Sequence, residues 1–204
     1  MKGIVKDSVK DGVMKKTRLQ PYRPVYPSPA ALITSVDKEG IANIITLGEV
    51  FNISIRKPVI VGIAIRPATY SHGLISETRE YVINLPPARL LAAVDGCGSV
   101  SGRSGVDKFA AFGLTPLPAD EVRPPLIAEC PVNLECKVLD IHTIGDHDLF
   151  LGQVVAMHVD ESVLDEAGEI MTDRLDMLVY VTGEYWSGGE RLARHGFSHR
   201  GDGR

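Results

Sequence analysis

Residues 29–86 decide the fold, and they begin Pro29-Ala30-Ala31-Leu32-Ile33-Thr34-Ser35-Val36-Asp37-Lys38-Glu39-Gly40-Ile41-Ala42-Asn43-Ile44-Ile45-Thr46. Residues 31–36 and 41–46 are apolar and rich in β-branched side chains, which favours two strands. The four residues between them suit a turn because Gly40 can take a positive φ. We therefore predict a β-hairpin at the start of this stretch.

The rest of the chain predicts more strands than helices. We expect strands at 59–65, 81–85, 130–142, 150–160 and 178–184, and we expect the strand at 59–65 to be central in its sheet. Residues 51–55 are expected to form a short irregular piece, and residues 145–148 a tight turn. Helices are predicted at 70–80 with Ser71 as N-cap, at 88–94 with an end at Gly96, and at 103–113 with an end at Gly113. Neighbouring strands should pair antiparallel and close into a small β-barrel with flanking helices.

Composition limits the class of protein. The chain has 204 residues, enough for one domain with a sizeable core, and we expect a core at 25–185 and a C-terminal tail at 186–204 that frays beyond Phe197. A net charge of -4 argues against nucleic acid as the main partner. Three cysteines without a CxxC pair, no apolar signal region and no membrane-length apolar run predict a cytoplasmic protein.

The segment Arg66-Pro67-Ala68-Thr69-Tyr70-Ser71 joins the end of a predicted strand to the start of a predicted helix. An arginine there, beside the hydroxyls and free N–H groups of a helix N-terminus, can form an anion site. The alternative is structural: Ser71 only caps the helix and Arg66 pairs with a surface carboxylate. This segment alone favours the structural alternative.

The strand end Asn43-Ile44-Ile45-Thr46-Leu47-Gly48 exposes backbone donors and acceptors beside a hydroxyl. Such an edge can bind a flat heteroaromatic ring with polar edge atoms. The alternative is a strand that simply ends at a turn, and this is preferred unless the edge lies beside the anion site.

The glycine-rich segment Asp95-Gly96-Cys97-Gly98-Ser99-Val100-Ser101-Gly102 follows a helix rather than a strand, so we reject a dinucleotide-binding Rossmann motif. A Gly/Ser loop leading to Lys108 can still cradle a phosphate, or be a flexible connector. We interpret Cys97 as a small packed side chain rather than a reactive thiol, because the sequence shows neither a nearby base nor a resolving cysteine.

The histidines do not predict a metal site, because His142, His147 and His158 lie on separate elements without ligand spacing. Of these we keep only His147, which lies between two aspartates in a turn. It either contacts a ligand or stabilises the turn, and the second reading is preferred.

Taken in order, these segments resemble the flavin reductase-like, FMN-binding split-barrel family, and in particular its flavoredoxin and ferric-reductase-like members. The resemblance covers about residues 25–185. Its motifs are Pro29–Thr34, Asn43–Thr46, Ser54 with Pro58, Arg66–Ser71, Glu80–Asn84, Ser101–Gly102, Asp107–Phe109 and His147–Gly152. Lys57-Pro58 replaces the usual Pro-Pro pair, and Gln153 replaces a frequent acidic residue.

The resemblance implies a mainly β, antiparallel, Greek-key split barrel that forms a homodimer and binds FMN noncovalently. The edge Thr46-Leu47-Gly48 would lie along the isoalloxazine ring, and Asn43 would also contact the cofactor. The phosphate would be held by Arg66, Tyr70 and Ser71, with further contacts from Ser101, Gly102 and Lys108. His147 would lie on the nicotinamide side.

The function predicted on this basis is an NAD(P)H-dependent flavin or ferric reductase, in which the bound flavin supplies the redox chemistry. The first alternative is an electron carrier that takes electrons from a redox partner protein, as flavoredoxin-like proteins do. The second is a protein that binds FMN without turnover. A β-barrel interaction module without a cofactor does not account for the coincidence of motifs.

Overall fold

A computed structural model describes residues 16–22, 24–193 and 195 of the chain. The strands are β1 Ser28–Pro29, β2 Ala31–Val36, β3 Ala42–Leu47, β4 Val50–Ser54, β5 Ile60–Ile65, β6 Glu80–Leu85, β7 Pro116–Leu117, β8 Leu126–Ile127, β9 Val132–Ile144, β10 His147–Val159, β11 Leu178–Val181 and β12 Glu184–Ser187. The α-helices are α1 Tyr70–Thr78, α2 Leu91–Ser99 and α3 Lys108–Phe112. Short 3₁₀ helices cover Ala88–Leu90, Gly102–Ser104, Glu161–Val163 and Thr172–Arg174.

In the described part of the chain, seven strands form one antiparallel sheet in the order β3-β2-β6-β9-β10-β5-β4. Only Gly48 and Glu49 join the two edge strands, and the backbone N–H of Ala64 on β5 donates to the carbonyl of Glu49 at 2.9 Å. The sheet therefore curls until β3 contacts β5. The connection from β5 through α1 to β6 skips two strands, as a Greek key requires. The predicted antiparallel barrel is confirmed.

The two larger clusters of the core lie on opposite faces of β2, and a smaller third cluster contains Val82, Val122 and Leu126. Successive side chains of a strand point to opposite faces, and both Leu32 and Ile33 are fully buried. Ile33 packs inside the curled sheet with Tyr81 and Phe150. Leu32 packs on the outside with Val94 of α2. Helices α2 and α3 therefore lie against the outer face of the sheet, close to β3, whereas Ile75 of α1 packs with the inner cluster.

The predicted hairpin is present at β2 and β3, and Gly40 takes a φ of 88° in its turn. Residues 51–55, expected to be irregular, contain most of β4, since Phe51, Asn52 and Ser54 pair with β5. The side chains of Phe51 and Ile53 cover Gly62. Because β4 pairs with it, β5 lies one strand from the sheet edge rather than at its centre.

Two predicted helix boundaries were wrong. The helix expected to end at Gly96 continues to Ser99 as α2, because a Cβ at Gly96 would overlap the ring of Phe112 and one at Gly98 would press on Thr46. Close packing at these positions outweighs the helix cost of glycine, about 1 kcal/mol per residue.

The helix expected at 103–113 is also divided. A 3₁₀ turn over Gly102–Ser104 is separated from α3 by Gly105, whose φ is 73°. Gly113 ends α3 in the left-handed conformation, as predicted. The tail expected from residue 186 begins inside β12, and Phe197 lies outside the described residues.

Candidate functional site

A polar cleft of about 260 Å³ lies where β3, the first turn of α1 and the segment after α2 meet. We call it the α1 cleft. Six of the predicted site residues line it: Asn43, Tyr70, Ser71, Ser101, Gly102 and Lys108. They come from three separate parts of the sequence, and the fold brings them to one place.

A smaller cavity of about 220 Å³, which we call the β3 cavity, lies at the end of β3. Thr46 and Gly48 line it, together with Tyr180 and Tyr185 of the hairpin β11–β12. Gly98 and Ser99 line both the β3 cavity and the α1 cleft. The predicted ring edge and the predicted anion site therefore adjoin each other.

Thr69 is the N-cap of α1, so the prediction that Ser71 is the N-cap was wrong. The Thr69 hydroxyl accepts a hydrogen bond from the backbone N–H of His72 at 3.3 Å. Ser71 is instead buried within the helix, where its Oγ accepts a 2.7 Å hydrogen bond from Nδ2 of Asn43. The first N–H groups of a helix have no partner inside it and carry partial positive charge. This end of α1 is thus suited to an anion.

Gly102 is required by a close approach on the wall of the α1 cleft. A Cβ at this position would overlap the ring of Tyr70 and the side-chain amide of Asn43. The absence of a side chain lets the backbone of residues 101–103 lie directly against β3 and α1. The two elements and this segment therefore form one continuous wall of the cleft.

Lys108 places a buried ammonium group on the floor of the same cleft. Only 4% of the residue is exposed, and its Nζ donates to the carbonyls of Ile44 at 2.6 Å and Cys97 at 2.8 Å. Burial lowers the pKa of Lys108 below its usual value. These are two of the three hydrogen bonds that an ammonium group can donate.

The two arginines near the cleft differ in position. The guanidinium of Arg66 lies outside the α1 cleft, exposed, with its Nη2 3.7 Å from a carboxylate oxygen of Asp146. Arg103, which the sequence analysis did not select, lines the cleft. Its guanidinium donates to the carbonyl of Ala68 at 2.8 Å and lies 5.9 Å from the centre of the Tyr70 ring. A contact between Arg66 and a phosphate stays a prediction.

At the ring edge, the side chains of Thr46 and Leu47 contact other parts of the protein and are not free to bind a ligand. The Thr46 hydroxyl donates to the carbonyl of Val94, and the Leu47 side chain packs in the barrel core. Only the backbone of Leu47 is left for a ligand, whereas Gly48 opens directly on the β3 cavity. Across the cavity, burial and the neighbouring Asp95 raise the pKa of Tyr185.

His147 begins β10, and its Nδ1 lies 2.8 Å from Oδ1 of Asp146. This hydrogen bond lowers the pKa of Asp146. A second histidine pair was missed from the sequence: Nε2 of His72 lies 2.8 Å from Oδ2 of Asp148, and this bond lowers the pKa of Asp148. Because both side chains are mostly buried, the pair fixes α1 against β10.

Asp120, Glu135 and His158 bring one ligand atom each within 4.8 Å of one another. Glu135 is fully buried, and its carboxylate accepts hydrogen bonds from the backbone N–H groups of residues 120, 121 and 122 and contacts Nε2 of His158 at 2.6 Å. Its oxygens are thus occupied by protein donors. This arrangement supports the loop between β7 and β8 rather than a metal site.

Comparison with known proteins gives consistent relatives. A family model described as "Flavin reductase like domain" matches residues 22–189. Flavoredoxin of Desulfovibrio vulgaris (Miyazaki F) superposes with a TM-score of 0.82 at 29% identity, over 91% of this chain and 100% of that chain. The FMN-binding protein from Thermus thermophilus, solved with bound 1-cyclohex-2-enone, gives a TM-score of 0.72 at 29% identity, over 89% of this chain and all of that one.

A relative from Streptomyces pristinaespiralis has a named activity. This NADH:riboflavin 5'-phosphate oxidoreductase is 29% identical over 129 residues, which is 63% of this chain and 69% of that protein.

The helices in the described residues are all too short or too polar to cross a membrane. Since the family model spans most of the chain and the barrel superposes on solved members, this protein belongs to the flavin reductase-like, split-barrel family.

Proposed function

We propose that this chain binds FMN noncovalently, with the phosphate in the α1 cleft and the isoalloxazine ring in the β3 cavity. The observation that carries the proposal is the junction of the two spaces at Gly98 and Ser99. FMN needs a phosphate site and a site for a planar ring at a fixed separation, and two adjoining spaces support the proposal.

The residues present suit the cofactor. Arg103 and Lys108 bring positive charge to the α1 cleft, and Ser71, Ser101 and the free N–H groups of α1 add donors for phosphate oxygens. The surface left open by Gly102 gives the phosphate and ribityl chain a close approach to the backbone. At the ring end, the backbone of residues 46–48 offers hydrogen-bonding groups to the polar edge of a flavin.

We further propose that the protein is an NAD(P)H-dependent flavin or ferric reductase. A bound flavin supplies hydride and electron transfer, while the chain binds, orients and shields it. His147 would contact the nicotinamide side. The name of the Streptomyces relative supports a nicotinamide reductant, NADH in that protein.

A second candidate function is electron transfer without a nicotinamide reaction, with a redox partner protein as donor. The TM-score of 0.82 with flavoredoxin favours it, because that structure matches along its full length. A third candidate, FMN binding without turnover, differs in that no physiological donor reduces the flavin.

The visible spectrum and an anaerobic titration separate these functions. Purified protein should be yellow or should take up added FMN, and NADH or NADPH should bleach it if the protein is a reductase. Bleaching only by a reduced protein supports the electron carrier. Absence of flavin together with failure to bind added FMN would contradict all three.

We also propose a homodimer. Several large apolar side chains are exposed on β4, just after it and in the segment before β1, namely Leu19, Tyr22, Val25, Phe51, Ile53 and Ile55. Val25 and Phe51 line the same cavity. Exposed apolar side chains that lie close together are typical of a subunit interface. Light scattering after size-exclusion chromatography should give twice the chain mass.

We also propose a cytoplasmic location. The three cysteines are free thiols, which supports a reducing compartment.

A further inference from the structure

The first turn of α1 is held by hydrogen bonds on two different sides of the helix. Ser71 is joined to Asn43 of β3 on one side, and His72 is joined to Asp148 of β10 on the other. Successive residues of an α-helix lie about 100° apart around its axis, so neither bond can replace the other. Asn43 and Ser71 line the α1 cleft, whereas His72 and Asp148 do not.

The pair of His72 and Asp148 is restricted by its surroundings. The exposed fractions of the two side chains are 16% and 12%, and Nε2 of His72 lies 2.8 Å from Oδ2 of Asp148. The His72 ring packs on Phe150 in an edge-to-face arrangement, with ring centres 5.2 Å apart. Phe150 is fully buried in the inner cluster of the core. The bond therefore ties α1 to a part of the barrel that is itself tightly packed.

The same turn carries the backbone donors that would meet a phosphate. The N–H of Thr69 donates to the carbonyl of Arg66 at 3.0 Å, and the N–H of His72 donates to the Thr69 hydroxyl at 3.3 Å. Within the described ranges, the N–H groups of Tyr70 and Ser71 have no acceptor, and both residues line the α1 cleft. Their direction depends on how α1 is set against the barrel.

We propose that His72 and Asp148 are a positioning pair for the phosphate of the bound flavin. The inference rests on the proposed function, because it requires the phosphate at the start of α1. The hydrogen bond between the two side chains sets α1 so that the N–H groups of Tyr70 and Ser71 point at the phosphate oxygens. It also keeps the Asp148 carboxylate on the β10 side of the helix, away from a phosphate that it would repel.

The effect of the pair is confined to the phosphate end of the site. The β3 cavity, where the ring would lie, is lined by β3, by α2 and by the hairpin β11–β12, and none of these elements contains His72 or Asp148. Riboflavin has the ring and the ribityl chain of FMN but lacks the phosphate. Loss of the pair should therefore weaken FMN and leave riboflavin almost unchanged.

The test uses the full chain freed of bound flavin. Dissociation constants of FMN and riboflavin are measured by quenching of flavin fluorescence for wild type, His72→Ala and Asp148→Ala. Each variant should weaken FMN about tenfold, because the N–H groups no longer point at the phosphate, and should weaken riboflavin less than about twofold. Asp148→Asn keeps an acceptor oxygen for His72 and should restore most of the affinity for FMN.

His158→Ala is the matched control. It removes a similar contact, of 2.6 Å between Nε2 of His158 and Oε1 of the buried Glu135, and neither residue lines the α1 cleft or the β3 cavity. This variant should unfold at a lower denaturant concentration while both dissociation constants stay unchanged. Phosphorus NMR of bound FMN adds a second readout: the phosphate resonance should move in Asp148→Ala and stay in place in His158→Ala.

The outcomes are distinct. Equal weakening of FMN and riboflavin, or a loss of stability with unchanged FMN binding, would overturn the positioning role and leave the pair a structural contact. FMN binding by Asp148→Asn as weak as by Asp148→Ala would overturn the hydrogen bond as the cause. If the alanine variants do not fold, Asp148→Glu, which displaces the carboxylate by one methylene, should show the same selective loss of FMN. Failure of wild type to bind either flavin would overturn the proposed function and this inference together.

Discussion

Nδ2 of Asn43 donates a hydrogen bond of 2.7 Å to Oγ of Ser71, although 28 positions separate the two residues in sequence. Both side chains are buried, so the bond joins β3 to the first turn of α1 inside the wall of the α1 cleft. It joins β3, the strand that ends in the proposed ring edge, to the helix that begins at the proposed phosphate end. The two halves of the site are therefore held in a fixed relation.

Ser71→Ala should weaken both the fold and FMN binding. The substitution removes the acceptor of Asn43, and an unpaired buried donor costs about 1–3 kcal/mol of unfolding free energy. Loss of the hydroxyl also removes a phosphate donor, so the FMN dissociation constant should rise more than that of riboflavin. Denaturant unfolding and flavin titration measure the two effects.

The matched control is Thr78→Ala at the other end of α1, where the hydroxyl bonds only to the carbonyl of Leu74. It should leave FMN binding unchanged. If Ser71→Ala lowers stability but leaves both flavin constants as they are, the serine has a structural role only.

Gly102→Ala should strongly impair FMN binding, because its Cβ would displace Tyr70 and Asn43 from the wall of the α1 cleft. Gly73→Ala is the control within α1: no atom lies within 4 Å of a Cβ there, so this variant should bind FMN normally and gain up to about 1 kcal/mol from helix propensity. Visible absorbance of the purified variants gives the flavin content. Full occupancy in Gly102→Ala would contradict the proposed position of the cofactor.

Arg103→Ala should raise the dissociation constant of FMN by at least about tenfold and that of riboflavin much less, since a charge-assisted bond to phosphate is lost. Arg66→Ala tests the position chosen from sequence. If Arg66 remains paired with Asp146 when FMN binds, its removal should have a smaller effect. A larger loss of FMN affinity in Arg66→Ala would mean that this arginine turns toward the phosphate.

Local patterns predicted the strands of the barrel, whereas most residues of the α1 cleft were predicted through the resemblance to the family, since the local pattern at 66–71 alone favoured a structural role. Runs of β-branched residues identify strands such as β2, and small hydroxyl residues after a strand end identify the start of α1. Lys108 was also found, since its position follows a glycine-rich segment. These signals are encoded within a few neighbouring residues.

The features that were missed depend on contacts between distant segments. Gly96 reads locally as a helix stop, and only the ring of Phe112 explains why α2 continues. Arg103 follows a glycine and resembles a surface arginine until α1 and residue 102 meet. The pair of His72 and Asp148 joins positions 76 apart and leaves no local pattern.

The cysteines should be unreactive in the folded protein. Burial raises the pKa of Cys97 to about 11 and of Cys136 to about 12, and it also raises the pKa of Cys130. At about pH 8 all three thiols stay protonated and inaccessible, so an aromatic disulfide reagent should label them only slowly. The same reagent in guanidinium chloride should label all three rapidly. Rapid labelling of one native thiol would assign it a reactive role.

Glu135→Gln should reduce the loss of unfolding free energy that occurs when the pH is lowered into the acid range. Burial opposes ionisation of Glu135, but hydrogen bonds from the backbone of residues 120–122 and from His158 outweigh it, and the pKa lies below the usual value of 4.5. The unfolded chain therefore takes up a proton at a higher pH than the folded chain. The carboxylate makes its full contribution to stability above about pH 4.5. This contribution is lost as the pH falls through the pKa that Glu135 has in the folded chain.

The variant should be less stable than wild type near pH 7 by about 1–3 kcal/mol, because an amide accepts fewer of these hydrogen bonds. Between about pH 6 and pH 3.5 it should then lose less unfolding free energy than wild type does. Urea denaturation at both pH values measures the difference. An identical loss in the two proteins would show that the pKa of Glu135 is the same in the folded and the unfolded chain.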